Sequence, residues 1–99
     1  MIITCNFSGH FHVEKLTCVW KYDGPSSYEV LISTTGSEWM PVITRDNMPP
    51  RVTEEVEVGQ AGRAIPCRYL RITLLKKNHA KYLGLQELRI QVLKYSKSY

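Results

Sequence analysis

The sequence predicts an all-β sandwich, and three observations predict it. Apolar residues recur at every second position along much of the chain. β-branched and aromatic residues fill those runs, and clusters rich in glycine, proline or asparagine interrupt most of them. Helical periodicity is almost absent. In a pleated strand, successive side chains point to opposite faces, so an alternating run buries one set and wets the other. Residues 13–20 place Leu16, Cys18 and Trp20 on one face, and residues 27–33 do the same with Tyr28, Val30 and Ile32. Residues 52–58 set Val52, Glu54, Val56 and Val58 against a charged solvent face of Thr53, Glu55 and Glu57. Residues 68–74 alternate Arg68, Leu70, Ile72 and Leu74 with Tyr69, Arg71 and Thr73, and residues 88–93 offer Leu88, Ile90 and Val92. Leu16, Val30, Ile32, Leu70 and Ile72 are the expected shared interior, with Trp20 and Trp39 as core plugs.

The punctuation between the runs is equally informative. Asp23-Gly24-Pro25-Ser26 must turn, because glycine tolerates positive φ and proline fixes its own. Thr35-Gly36-Ser37 reads as a tight hairpin connection just ahead of Trp39. The two prolines of Asp46-Asn47-Met48-Pro49-Pro50 predict a stiff loop, since neither can join a central strand. Residues 59–62 are a further break, and residues 80–86 are allowed one helical turn at most. A chain of 99 residues holds one core and not two, so residues 1–95 are read as one domain and residues 96–99 as a frayed tail. No window approaches the roughly 18 apolar residues of a membrane span. Residues 1–7 show neither a basic leader nor a long apolar stretch, so no secretory signal is predicted and the compartment stays open.

Cys5, Cys18 and Cys67 are too few, and odd in number, for a disulfide-stapled miniprotein. They are expected as reduced, mostly buried thiols, because unpaired cysteine packs as a small hydrophobe; a single bridge among them remains the alternative. Net charge is +4 and unevenly spread. Residues 1–57 carry four basic against eight acidic side chains, whereas residues 58–99 carry nine basic ones against Glu87 alone. Such asymmetry suggests an anionic partner on one face, unless interleaved strands mix the halves and cancel it.

Catalytic patterns are missing: the sequence has no serine nucleophile elbow, phosphate loop, zinc-protease motif or paired acids in a cleft. The expectation is a non-enzymatic chain without a cofactor. Cys5, His10, His12 and Cys18 match no closed zinc motif, and His12 and Cys18 would stand roughly 20 Å apart on an extended strand. No metal site is predicted. Arg68 and Arg71 fall on opposite faces of one strand. The inward one needs a buried acceptor, for which Glu29 or Glu87 is the expected partner.

The order Trp20, turn, Tyr28-Glu29-Val30-Leu31-Ile32-Ser33, Gly36, Glu38-Trp39, then Arg68-Tyr69-Leu70-Arg71-Ile72, then Gly84-Leu85-Gln86-Glu87-Leu88 resembles the discoidin domain. This is also called the coagulation-factor C-type domain, within the galactose-binding-like superfamily, and the likeness covers about residues 13–93. The resemblance implies an eight-stranded jelly-roll sandwich, here abbreviated or partial because the family's first strands and first two ligand-facing loops have no counterpart. It also implies a non-catalytic binding module working through loops at one end. Thr35 departs from the pattern, which usually carries an acidic residue before the hairpin glycine.

By this resemblance one loop matches the ligand-facing end, and a later one occupies the place between the last two strands. The first, residues 21–27, brings Lys21, Tyr22 and Asp23: a ring to stack on a sugar face, with a carboxylate and a cation for its hydroxyls. It carries none of the large aliphatic side chains found at this tip in lipid-binding relatives, so membrane insertion is disfavoured. The second, residues 76–82, brings Lys77, Asn78, His79 and Lys81, point charges suited to phosphate, sulfate or carboxylate. Nucleic acid is not expected, because no recognition helix or stacking-sheet motif accompanies the cluster. Two functions compete at this level. One is a module for a cell-surface glycan or acidic group; the other is an assembly domain docking on an acidic protein surface, or on itself, through an unpaired strand edge and the basic C-terminal half.

Overall fold

A computed structural model describes residues 1–58, 65–78 and 84–92. They form six strands: β1 (Ile2–Trp20), β2 (Pro25–Ser33), β3 (Met40–Arg45), β4 (Thr53–Glu57), β5 (Ile65–Lys77) and β6 (Leu85–Val92). Every pairing is antiparallel, in the order β3-β2-β5-β1-β4, with β6 also on β1. No helix occurs among the described residues, so none is long and apolar enough to cross a membrane.

β1 turns this sheet into a sandwich. At strand rise its 19 residues would reach about 60 Å, more than the molecule's longest dimension of 52 Å. It therefore bends, and its register slips between Asn6 and Phe11, around Gly9. Before the slip β1 runs beside β5, with Ile2 opposite Thr73 and Asn6 opposite Tyr69. Beyond it, Lys15 to Val19 pair with β4 on one side and β6 on the other. One layer is thus β3-β2-β5 with the start of β1, and the other is β4 and β6 flanking its end. The Trp20 and Tyr28 rings meet across the layers, 5.5 Å between centroids.

The interior is the one the alternation predicts. Leu16, Leu70 and Ile72 are 0% exposed, Val30 is 1% and Ile32 is 4%. Trp20 joins them at 1%. Cys18 and Cys67 are buried, Cys5 is half-buried, and all three are free thiols. The loop at 46–50 is also in place, with Asn47 at φ 53.

Several expectations need correction. Residues 2–12 extend the first strand, although nothing in their pattern had been read as a strand. β3 went unrecognised because Pro41 interrupts it; Pro41 stands on an edge strand, at a register shift where Val30 pairs Ile43 and Leu31 pairs Pro41, the one kind of place a strand tolerates proline. Leu85 and Gln86 are strand and not helix, with Leu85 opposite Trp20. Residues 80–83, the break at 59–62 and the tail at 96–99 lie outside the described residues.

Arg68 is the inward arginine, but neither predicted carboxylate serves it. Glu29 pairs opposite Thr73 and Thr44 on the outer face, and Glu87 is held by Arg89 at 2.6 Å. The Arg68 guanidinium lies 5.5 Å from the Tyr69 ring centre, and its buried Nε has no hydrogen-bond partner among the described residues.

Candidate functional site

β2 has an end at Pro25 and an end at Ser33, and each carries a distinct construction. At the Pro25 end the β1–β2 turn is forced tight, with Tyr22 at φ 62 and Gly24 at φ 71. A Cβ on Gly24 would stand 2.9 Å from the Arg51 carbonyl oxygen, so only glycine fits. The flanking loops tie down the backbone. Arg51 N donates to the Asp23 carbonyl (2.9 Å), Met48 N to that of Ser26 (2.9 Å), and Lys21 N to that of Gly84 (2.9 Å). Asn78 Nδ2 donates to the Gly24 carbonyl at 3.1 Å, and Lys77 lies opposite Pro25 in the sheet register.

Five of the seven predicted site residues, Lys21, Tyr22, Asp23, Lys77 and Asn78, thus gather at one end of the sandwich. Their parts differ. Tyr22 stands out at the tip, 58% exposed, whereas the Asn78 amide is spent on holding the turn. His79 and Lys81 lie outside the described residues.

Beneath this turn lies a cluster that sequence reasoning missed. Glu54 Oε1 accepts from Trp20 Nε1 (3.2 Å) and from Arg51 Nε (3.0 Å) and Nη2 (2.7 Å). Its Oε2 accepts from Tyr28 OH at 2.8 Å. The ion pair is inside the protein, the two side chains being 13% and 11% exposed. Arg51 Nη1 donates to the Pro49 carbonyl (3.1 Å) and to that of Pro25, and the guanidinium lies 5.6 and 5.8 Å from the Trp20 and Tyr28 ring centres. One arginine therefore stitches the loop at 46–52 to the turn. The signal was present: Glu54 shares the parity of Val56 and Val58, and a carboxylate on a buried face demands a partner. Burial, and secondarily the Glu54 charge, pushes the Cys18 thiol up to about 12. Burial alone pushes Cys67 to about 11 and raises Cys5. Thiols held protonated in this way are not nucleophiles.

At the Ser33 end the hairpin is built from hydroxyl caps. Ser33 Oγ accepts from the backbone N–H of Thr35 (3.2 Å) and Gly36 (2.8 Å). Thr35 Oγ1 accepts from Ser37 N and Glu38 N, both at 3.2 Å. Threonine thus supplies the acceptor oxygen that a carboxylate gives at such a turn, which is the physical content of the departure at Thr35. Gly36, at φ 87, lies against the Tyr69 ring, 3.0 Å from where a Cβ would stand. Trp39 is not the core plug expected. It is half-buried, with the Arg71 guanidinium 4.0 Å from its ring centre and Tyr69 edge-on at 6.3 Å. Tyr69 and Arg71 belong to the outward parity of β5, so the tryptophan folds over the outside of the sheet.

The class this architecture defines is the antiparallel β-sandwich. Solved structures that share the fold include carbohydrate-binding modules. CpGH89CBM32-6, produced by Clostridium perfringens, superposes with a TM-score of 0.74 at 17% identity, over 92% of this chain and 68% of that one. Chitosan-binding module 2 of a chitosanase/glucanase from Paenibacillus sp. IK-5, solved with chitotriose, gives 0.74 at 14% identity, over 90% and 67%. CpGH89CBM32-5 from Clostridium perfringens, solved with GalNAc-β-1,3-galactose, gives 0.71 at 13%, over 90% and 63%. The chain therefore spans about two thirds of the length of each, and at such identities the likeness establishes the fold. No protein-family model and no curated protein sequence matches the chain.

Proposed function

We propose that the chain is a non-catalytic, discoidin-like glycan-binding module that holds a polar or anionic saccharide at the Pro25 end of β2. The observation that carries this reading is the locked turn beside the end of β5: Tyr22 at its exposed tip, Lys21 and Asp23 flanking it, and Lys77 and Asn78 alongside. Tyr22 offers the apolar face of its ring to a pyranose, while the Asp23 carboxylate and the ammonium groups of Lys21 and Lys77 meet hydroxyls or an acidic substituent. Asn78 keeps the turn in shape. His79 and Lys81 follow along the chain as further candidate donors read from the sequence. That the neighbouring folds are modules solved with bound saccharides supports the assignment.

Tyr22→Ala tests it. The tip ring is exposed, so stability should change by less than about 0.5 kcal/mol. Affinity for the best ligand on a glycan array should fall about tenfold or more by titration calorimetry. A folded chain that binds no glycan on the array, and self-associates in size-exclusion chromatography, would replace this reading with assembly through a strand edge.

A further inference from the structure

We infer that the Ser33 end carries a second saccharide subsite, specific for a neutral or amine-bearing pyranose; the inference rests on the glycan-binding reading and extends it. Trp20 is sealed in the interior and bonded to Glu54, whereas Trp39 stays half-open on the surface although nearby packing holds it firmly. Arg71 lies against the ring and Tyr69 meets it edge-on. The backbone leading to it is set by four N–H bonds to the hydroxyls of Ser33 and Thr35. A ring fixed in this way loses little freedom when a ligand stacks on it.

Beside the ring is an open groove of about 440 Å³, within the size range of small-molecule sites. Trp39, Met40, Pro66 and Ile32 supply the apolar part of its lining, and Ser33, Thr34 and Glu38 the polar part. A lining that mixes apolar and polar groups suits a pyranose, which has an apolar face and a rim of hydroxyls. Among the described residues Glu38 is the one acidic or basic side chain lining the groove. Its carboxylate accepts from hydroxyl or ammonium donors and repels sulfate or carboxylate. The preference is thus opposite to that of the Lys21 and Lys77 end, across a β2 of nine residues, roughly 25 Å at strand rise. A module with a site at each end can join two saccharide chains.

The full chain is titrated with chitotriose, following backbone amides by NMR and acrylamide quenching by fluorescence. Trp20 is 1% exposed, so quenching reports on Trp39. Chitotriose should protect Trp39 and shift the amides of Thr34, Glu38 and Met40. Glu38→Gln, on an exposed side chain, should weaken both effects about tenfold, the scale of one charge-assisted hydrogen bond, and Trp39→Phe should weaken the amide shifts. Neither should change shifts around Tyr22. Shifts confined to Tyr22, Asp23 and Lys77, with Trp39 quenched as before, overturn the second subsite and leave the first. Shifts confined to the groove uphold it and leave the loop-end site to its own test on the glycan array. No shift anywhere overturns the second subsite.

Discussion

At the Pro25 end of β2 a charged pair lies inside the protein and holds a turn from beneath. At the Ser33 end the cation and the rings lie outside and the turn is held by its own hydroxyls. The first construction is strict, because Glu54 accepts from Arg51, Trp20 and Tyr28 together, and Trp20 Nε1, Tyr28 OH and the Arg51 Nε and Nη2 all lose that acceptor without it. The second is more tolerant, because Thr35 is exposed and Arg71 half-exposed, and both can fall back on water, although Ser33 is buried. The end proposed to bind saccharide is thus set on buried electrostatics, and the groove beside Trp39 is set on local turn chemistry.

Glu54→Ala tests the contrast most severely. Leaving Arg51 charged and unpaired in the interior should cost about 3–5 kcal/mol, a large part of the roughly 5–15 kcal/mol of a whole domain, read as a lower urea midpoint. A loss below 1 kcal/mol would show that the pair is not what secures the turn. Alkali should come next. The ordinary thiol value is 9.0, and burial with Glu54 raises Cys18 to about 12. Above pH 9 the unfolded chain releases this proton while the folded one keeps it, so stability falls as pH climbs from about 9 towards 12. Cys67, pushed only to about 11, adds a smaller decline. Cys18→Ala should flatten the slope in urea midpoints between pH 8 and 11; an unchanged slope would detach Cys18 from the effect. The smallest change belongs to the hairpin. Thr35→Ala should cost about 1 kcal/mol in thermal melts, and Thr35→Asp should restore most of it by returning an acceptor oxygen.

The sandwich was legible because period-2 alternation is a direct imprint of burial, and the five residues named for the interior are there. β3 was hidden by Pro41, whose meaning depends on whether a strand lies at an edge, a fact of topology that local pattern does not carry. Trp39 was misplaced because hydropathy treats every tryptophan as core, while its position depends on Tyr69 and Arg71, thirty and thirty-two residues away. The gathering of Lys21 to Asp23 with Lys77 and Asn78 was foreseen through resemblance. That Asn78 supports the turn was not, since an amide's partner is set by distance in space. Glu54 was legible in the sequence, because it shares the buried parity of Val56 and Val58.

The bent first strand has a consequence for how the molecule is made. Ile2 is paired with Thr73 and Asn6 with Tyr69, so the opening residues meet their neighbours only after most of the chain has been synthesised. Contacts spanning so much sequence slow folding, because a long loop must close before any bond rewards it. Until then Ile2, Ile3 and Phe7 are a β-prone stretch without the strand that they lie beside in the folded sheet.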